Sequence, residues 1–308
     1  MKIVIVTHDG DAHAVLVQHA LAERDVACHI LAIDRVSGDR HIFIDEDRSA
    51  YCEDVDGTLI NLASVDLCWW RRSPRKQLTA AELPDGEFRL MAESASFEAF
   101  TGMFLAHYEG AFVDHPEIIS RAENKVLQLR TAAMCGLTVP HWIITNDIDR
   151  VHEWALGRNK FIVKNIGKPS NHMVRVKAYS IDDIYDKEIY YVPSMFQEFI
   201  DGNEHLRVVV LGEEITSFSI KTTSIDWRPD DERVYNVTSL PEKVERLVRD
   251  FMRSMKLNMG SLDLKISPEG NVVFFEVNPQ GQFLFLERAT GYPLLHEFVS
   301  FLTKHTAS

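Results

Sequence analysis

The sequence is short of cysteine and contains no long apolar run. Its four cysteines have no paired spacing and stand at Cys28, Cys52, Cys68 and Cys135. Scattered cysteines of this kind are typical of reduced, buried thiols, so the pattern argues against a disulfide framework or a zinc knuckle and predicts a cytoplasmic protein. No apolar run approaches the roughly 18–20 residues that a membrane span requires, so we expect no membrane partner. The apolar stretch from Met1 to Val6 is too short for a signal peptide and predicts a buried first strand.

Basic residues are also in deficit. Lys and Arg number 33 against 46 Asp and Glu, which gives a formal net charge of −13. A polyphosphate backbone repels a chain with this balance, so a nucleic-acid partner is disfavoured. With 45% apolar and 26% charged residues, the composition is that of a globular protein, and 308 residues are enough for two or three compact lobes.

Strand and helix patterns alternate along the chain and predict an α/β organisation without internal repeats. His115-Pro116 and Pro193 mark two boundaries, which predicts domains over residues 1–115, 116–192 and 193–308. An acidic stretch between Arg35 and Ser64 predicts a solvated hairpin or loop region. A helical pattern from Ser120 to Cys135 ends at a glycine.

The run Trp69-Trp70-Arg71-Arg72 ends a strand of the first lobe. The two tryptophans are expected in the core. Three roles stay open for the two arginines: a pair at a subunit interface, ion pairs with the acidic stretch, or cations that bind a peptide.

The most informative stretch is a pair of strands joined by a tight turn, residues 261–266 and 272–277. The two-residue period of a strand places Glu276 and Asn278 on one face of the second strand, where Asp263 of the first can reach them. Two carboxylates and an amide oxygen suit Mg²⁺ bound together with nucleotide phosphates. The alternative is a surface hairpin whose polar face meets water.

Two lysines stand where a nucleotide's phosphates would need them. Lys125 lies in the first turns of the helix predicted from Ser120, and Lys164 ends an apolar strand before the loop Asn165–Asn171. A lysine donates to phosphate oxygens, and a glycine-containing loop can fold its N–H groups over them. The alternatives are an exposed helix lysine and a strand-end lysine that meets solvent.

The segment Gln197-Glu198-Phe199-Ile200 is predicted to be an extended connection between lobes, which can offer backbone groups to an adenine edge. Glu204 follows it and is the candidate acceptor for ribose hydroxyls, or else a turn-capping or solvated acid.

In this order the elements resemble the ATP-grasp superfamily of carboxylate–amine and carboxylate–hydroxyl ligases, from about residue 116 to the C-terminus. The elements that match are Asn124-Lys125, Val163-Lys164, Gln197–Ile200, Glu204, Asp263 and Glu276-Val277-Asn278-Pro279. The thirteen-residue step from Asp263 to Glu276 is the specific part. The resemblance implies an α/β fold with an N-terminal pre-ATP-grasp domain, a small central lobe and a C-terminal ATP-grasp lobe, and it implies ATP and Mg²⁺.

Within the superfamily the chain is most similar to the graspetide synthetases, which crosslink microviridin- and marinostatin-type peptides. The pieces that match are Trp70-Arg71-Arg72, Leu206–Gly212, Asp226-Trp227-Arg228 and Asn278–Phe283. Two positions depart from the pattern. Ser261 stands where many of these ligases have an arginine that neutralises acyl-phosphate oxygens, so we expect Arg207 and Arg228 to take that duty. His205 stands directly before the Leu-Arg pair, where the group commonly has its acid, which leaves the ribose role of Glu204 in question.

The resemblance implies an ATP-dependent ligase that activates Asp or Glu side chains of a precursor peptide as acyl phosphates. Ser, Thr or Lys side chains of the same peptide then close ester or amide rings. A homodimer is plausible by analogy alone. Two alternatives stay open: a ligase acting on free amino acids, dipeptides or a protein tail, and a non-catalytic module that binds nucleotide or peptide.

Overall fold

The computed structural model describes residues 1–36, 40–46, 50–72, 86–167, 177–184, 192–225, 227–228 and 232–305. The chain forms two compact units, one of Met1–Glu117 with Pro293–Ser308 and the other of Ile118–Tyr292. The three-part division predicted at residues 115 and 192 stays a prediction.

The first unit is built on a four-stranded parallel sheet with the order β2-β1-β6-β7. Its strands are β1 (Lys2–Thr7), β2 (Ala27–Ala32), β6 (Leu67–Trp70) and β7 (Ala111–Phe112). Its helices are α1 (Ala12–Ala22), α2 (Glu87–His107) and α8 (Leu294–His305). The strands are nearly continuous apolar runs, as expected of a parallel sheet covered on both faces. Trp69 and Trp70 are buried as predicted, and Trp69 packs on Phe298 with ring centroids 4.6 Å apart.

The acidic stretch of the first unit forms a small antiparallel sheet with the order β3-β4-β5. The strands are β3 (Ile42–Ile44), β4 (Ala50–Glu53) and β5 (Leu59–Asn61). Most of its acids meet solvent, but Asp54 is buried and accepts hydrogen bonds from the backbone N–H groups of Asp56 and Thr58.

The second unit contains two antiparallel sheets. The smaller has the order β10-β9-β11-β8 and the larger β14-β13-β12-β15-β16. The strands of the smaller sheet are β8 (Trp142–Thr145), β9 (Phe161–Asn165), β10 (Ala178–Tyr179) and β11 (Ser194–Glu198). Those of the larger are β12 (Glu204–Leu211), β13 (Glu214–Lys221), β14 (Val234–Thr238), β15 (Met259–Ile266) and β16 (Val272–Asn278).

Among the described residues, five helices lie wholly or mostly in the second unit: α3 (Pro116–Ala122), α4 (Lys125–Met134), α5 (Ile148–Ala155), α6 (Glu242–Met255) and α7 (Leu284–Thr290). Alternate residues of β12 and β15 pack with α4 and α6 in its main core, among them Leu206, Val208 and Leu262. The intervening residues of the same strands face the other way, and these carry the polar side chains described below.

The single helix predicted from Ser120 to Cys135 is wrong. The chain leaves the helical conformation between α3 and α4, and Asn124 caps α4 by accepting a hydrogen bond from Leu127 N–H at 3.0 Å. Asparagine competes for backbone donors and so favours a helix start over a helix interior. Lys125 is therefore the first residue of α4. Gly136 follows α4 with φ +91°, the left-handed conformation expected of the glycine that ends a helix.

No helix in the described ranges is long and apolar enough to cross a membrane.

Candidate active site

The centre of the site is the hairpin of β15 and β16. Asp263 lies directly opposite Glu276, and Ser261 lies opposite Asn278. The register shifts by one residue between Asp263 and Leu264, so Phe275 is the extra residue of a β-bulge. The bulge keeps both Phe274 and Val277 in the core while the carboxylates of Asp263 and Glu276 share the opposite face. A step of thirteen residues thus brings two acids side by side.

Each carboxylate is held by a cation from another element. Lys125 Nζ lies 2.7 Å from Glu276 Oε2. Arg207 Nη1 lies 2.8 Å from Asp263 Oδ1, and the two residues are opposite each other in β12 and β15. The candidate phosphate-binding lysine and the candidate metal-binding acid are therefore in direct contact.

The side chain of Gln128 fixes α4 against β16. Its Nε2 donates to Val277 O at 2.9 Å, and its Oε1 accepts from Val277 N–H at 3.0 Å. Gln128 is buried one turn after Lys125, so this paired amide–backbone contact sets where Lys125 emerges. A helix glutamine carries no sequence signal for this task, and sequence reasoning missed it.

Lys164 reaches the same cluster from the smaller sheet. It lies opposite Met195 in the pairing of β9 with β11, and its Nζ stands 5.3 Å from the centre of the Phe275 ring. Burial lowers the pKa of Lys164 to about 8, with Glu276 opposing the shift and Lys125 adding to it. The bulged Phe275 thus gives Lys164 an aromatic face beside the acids. The loop that follows Lys164 is described only as far as Gly167, so its predicted contacts from residue 168 onward lie outside the described residues.

The two carboxylates have opposite pKa shifts. Burial favours protonation of Glu276, but the positive charges of Lys125 and Lys164 outweigh it and lower its pKa to about 2. Burial raises the pKa of Asp263 against the opposing effect of Arg207, and the neighbouring Glu276 adds to the rise. Two buried carboxylates side by side repel each other when both are ionised, so this pair favours binding of an additional cation.

The donor set fits Mg²⁺. Asp263 and Glu276 provide hard carboxylate oxygens on one face, and the exposed Asn278 provides an amide oxygen two residues further along the same strand. Mg²⁺ typically takes a few such oxygens and completes its shell with waters and phosphates. Within the described part of the chain, no group of three or more His, Cys, Asp or Glu side chains is placed to hold a metal ion.

Arg207 is enclosed by small residues. Its Nη2 donates to Gln282 O at 3.1 Å. A Cβ atom added at Gly281 would lie 2.8 Å from Arg207 Nη2 and 2.8 Å from Ser261 Cβ. The guanidinium therefore occupies its place because position 281 has no side chain, and Ser261, the position at which the resemblance implied an arginine, is buried next to Gly281. Sequence reasoning offered Arg207 for the missing arginine but did not find the role of Gly281.

The four residues predicted to connect the lobes, Gln197–Ile200, have different surroundings. Gln197 is 1% exposed, and neither its Oε1 nor its Nε2 has a hydrogen-bond partner among the described residues. Its backbone lies opposite Ile162 and Trp142 in the smaller sheet, so its side chain shares a face with Lys164. Glu198 is engaged with His141, whose backbone N–H donates to its carboxylate at 3.1 Å.

Phe199, Ile200 and Glu204, the other residues predicted to contact the nucleotide, come after the end of β11. The Phe199 ring lies 5.5 Å from Lys265 Nζ, and Ile200 is half-buried. Glu204 is the first residue of β12 and is half-buried opposite Ile266.

Arg228 is exposed, and its positive charge lowers the pKa of both Asp263 and Glu276 as a minor contribution beside those of Arg207 and Lys125. The neighbouring Trp227 stacks on Phe285 with centroids 5.8 Å apart. Asp226, the first residue of that predicted motif, lies outside the described residues.

No family model matches the sequence, and no curated protein matches it either. Solved structures match it over nearly its whole length. The macrocyclase MdnC from Microcystis aeruginosa MRC, bound with precursor peptide MdnA, is 24% identical with a TM-score of 0.87, covering 98% of this chain and 99% of its own. A RiPP-associated ATP-grasp ligase of Chryseobacterium gregarium, in complex with ADP and a leader and core peptide, is 20% identical with a TM-score of 0.85, covering 98% and 96%.

A third structure, the ATP-grasp ligase PsnB complexed with a phosphomimetic variant of its minimal precursor, Mg and ADP, is 20% identical with a TM-score of 0.81, covering 99% of both chains. At these identities the likeness shows the fold. The chain has the α/β fold of these ATP-grasp ligases along its whole length, as the sequence predicted.

Proposed function

We propose that this protein is an ATP-dependent ligase that activates Asp or Glu side chains of a ribosomal precursor peptide and closes ester or amide crosslinks within it. The observation that carries the proposal is the convergence of Lys125, Lys164 and Arg207 on the paired acids Asp263 and Glu276 in a chain with the ATP-grasp fold. Such a cluster combines what phosphoryl transfer needs, which is positioning and neutralisation of charge.

ATP binds with its phosphates on Lys125 and Lys164 in this proposal. Both amines stand beside Glu276 and carry donors toward the place where phosphate oxygens would lie. Gln197, Glu198, Phe199 and Ile200 form the segment against the adenine, and Glu204 accepts from the ribose. The buried Gln197 amide supports this assignment because its donor and acceptor both lack partners among the described residues.

Mg²⁺ would be held by Asp263, Glu276 and Asn278. When bound, the metal supplies positive charge to the phosphate oxygens. Lys125 and Arg207 pair with these carboxylates in the structure described here, which holds the two acids in place for the ion.

The chemistry begins with a carboxylate of the peptide, which is a poor acyl donor because its oxygen is a poor leaving group. A carboxylate oxygen attacks the terminal phosphorus of ATP, which forms an acyl phosphate and releases ADP. A Ser or Thr hydroxyl, or a Lys amine, then attacks the acyl carbon and expels phosphate, and its proton passes to solvent. Arg207 and Arg228 stabilise the negative charge that develops on the transferred group.

The substrate class rests on the proteins that share the fold. MdnC was crystallised with its precursor peptide, and the Chryseobacterium gregarium ligase with ADP and a leader and core peptide. We therefore propose a precursor peptide as the substrate of this chain. The four cysteines are all free thiols, which agrees with action in the reducing cytoplasm, where precursor peptides are made. The homodimer stays a prediction.

We expect the genes beside this one to include one for a short peptide rich in Asp, Glu, Ser, Thr and Lys. The test is ADP release by the purified protein with Mg²⁺ and ATP, in the presence of either that peptide or a mixture of free amino acids. ADP release that requires both Mg²⁺ and the peptide supports the proposal. Release that requires free amino acids instead would point to the amino-acid ligase, and failure to bind ATP at all would leave a non-catalytic module.

A further inference from the structure

The first unit carries a second polar cluster, at the carboxyl ends of its parallel strands. β1 continues through α1 to β2 on one side, whereas β6 pairs with the other side of β1. At such a change of direction the connections lead away from each other and open a crevice outside the strand ends, which is where α/β sheets bind ligands. The residues that follow β1 and β6 therefore line a place suited to a ligand.

Four of these residues are polar and buried. Thr7, Asp11, His13 and Arg71 are at most 9% exposed, although the strands that lead to them are apolar. Burial of a guanidinium and a carboxylate is costly unless both are well paired, so the cluster requires a specific arrangement.

Asp11 is fully engaged within the cluster. Arg71 donates to it through Nε at 2.6 Å and through Nη2 at 3.1 Å. Thr7 Oγ1 donates to it at 2.6 Å, and the backbone N–H of His13 donates at 3.0 Å. Arg71 thus uses one edge of its guanidinium to hold Asp11, and its third nitrogen, Nη1, points away from that pair.

Arg71 Nη1 has no hydrogen-bond acceptor among the described residues, although the side chain of Arg71 is 0% exposed. The buried Trp70 Nε1 and Arg72 Nε, on the two adjacent residues, are in the same state. A buried donor without an acceptor costs about 1–3 kcal/mol, so Arg71 Nη1 indicates that an acceptor is missing beside this guanidinium.

The geometry of the unpaired nitrogen selects the kind of acceptor. Burial, with the nearby charges of Arg71 and Arg72 adding to it, lowers the pKa of His13 to about 4 against the opposing effect of Asp11, so the imidazole is neutral at physiological pH. Asp11 is paired with Arg71 and Asp9 with Arg35, each at 2.6 Å. A carboxylate matches the geometry of a guanidinium edge.

We propose that this crevice binds a carboxylate group of the peptide substrate, with Arg71 Nη1 as its main donor and Arg72 beside it. The identity of the ligand rests on the proposed function, whereas the site itself rests on the cluster. The peptide supplies many carboxylates by the nature of the reaction, so the one bound here need not be the one that reacts. A purely structural Arg71 that joins β6 to α1 uses only Nε and Nη2.

The experiment titrates the full chain with N-acetyl-glutamate α-amide, with its neutral counterpart N-acetyl-glutamine α-amide, and with inorganic phosphate. The guanidinium resonances of Arg71 in the ¹⁵N-labelled protein report binding. We expect the glutamate compound to bind at least about tenfold more tightly than the glutamine compound. Equal binding of the two compounds, or no shift of the Arg71 resonances, would overturn the proposal. Phosphate binding as tight as that of the glutamate compound would reduce the crevice to a general anion site and would also overturn the peptide assignment.

Variants complete the test. Arg71→Lys keeps a positive charge beside Asp11 but replaces the three guanidinium nitrogens by one amine, and we expect it to raise the KM for the peptide about tenfold while kcat and the affinity for ATP stay unchanged. Arg24→Lys is the matched control. Arg24 lies in the turn that follows α1, where it donates to Ser300 Oγ, and its substitution should leave the KM for the peptide unchanged. An unchanged KM in a folded Arg71→Lys variant contradicts the proposal. The candidate ATP-binding residues belong to the other unit, so the two proposals fail separately. A wild-type protein that does not bind ATP would refute the proposed function. A wild-type protein that binds ATP but not the glutamate compound would refute only this subsite.

Discussion

Lys125 Nζ lies 2.7 Å from Glu276 Oε2, although the two residues are 151 positions apart in the chain. The contact joins the start of α4 to the end of the β15–β16 hairpin. It also means that Glu276 has a cation partner before any ligand arrives, as Asp263 has in Arg207. Binding of Mg²⁺ with ATP would then exchange the amine of Lys125 from the carboxylate to the phosphates.

Glu276→Gln should abolish turnover while the protein stays folded. The substitution preserves shape but removes one of the two charges that hold Mg²⁺ and leaves Lys125 and Lys164 without their shared partner. We expect ADP release to fall roughly 100-fold or more, measured with saturating peptide. Glu269→Gln is the matched control, since Glu269 is exposed in the turn of the same hairpin. Turnover like that of the wild type in Glu276→Gln would remove the metal assignment.

The affinity for ATP should fall as the pH rises above about 8. The pKa of Lys164 in the free protein is about 8, and phosphate oxygens favour its charged form. Below that pH the amine is already protonated, whereas above it ATP binding must take up a proton, which costs up to about tenfold in affinity per pH unit. Titration calorimetry in buffers of different ionisation enthalpy measures both quantities.

Lys164→Arg is the control for this pH dependence, because arginine stays charged throughout the range. If the wild type and this variant lose affinity in parallel above pH 8, Lys164 does not contact the phosphates.

Gly281→Ala should slow the chemical step and spare ATP binding. The new methyl group would stand 2.8 Å from Arg207 Nη2 and must displace the guanidinium from Gln282 O. We expect kcat to fall about tenfold with little change in the KM for ATP, since Arg207 acts on developing charge. Gly102→Ala, where an added Cβ meets nothing within 4 Å, is the control. An unchanged kcat would show that the position of Arg207 is not critical.

Gln197→Leu should have opposite effects on stability and on nucleotide binding. The buried amide lacks hydrogen-bond partners among the described residues, so its removal relieves a cost of about 1–3 kcal/mol and should raise the Tm of the ligand-free protein. The same change deprives adenine of its partner and should raise the KM for ATP about tenfold or more. A lower Tm with an unchanged KM would place Gln197 in the framework rather than in the nucleotide site.

The strand pattern of the β15–β16 hairpin could be predicted from the sequence, whereas the contacts that complete the site could not. The two-residue period of strands places Glu276 and Asn278 on one face of β16, but Glu276 lies opposite Asp263 only because of the bulge at Phe275. The contacts of Lys125 with Glu276 and of Arg207 with Asp263 depend on which elements pair across the sheet, and no local pattern encodes that. The bulge at Phe275, the Gln128 contact and the space at Gly281 are packing details that become visible only when the neighbouring strands are in place.

The prediction of a single helix from Ser120 to Cys135, which missed the helix start at Asn124, failed for a different reason. The apolar spacing runs through it without interruption, and only the capping preference of asparagine signals the break. The paired state of Arg71 was likewise not foreseen: ion pairs with the acidic stretch were one interpretation, but its partner is Asp11 at the end of β1.

The decisive measurement is the intact mass of the short peptide that we expect to be encoded beside the gene, after incubation with this protein, Mg²⁺ and ATP. The carboxylates of the peptide are labelled with ¹⁸O beforehand. A peptide that loses one water for each ring, with one ¹⁸O atom appearing in phosphate for each ring closed, is the result expected of activation through an acyl phosphate. An unchanged peptide mass, with ADP still produced when free amino acids are supplied, would contradict the assignment of a peptide-crosslinking ligase.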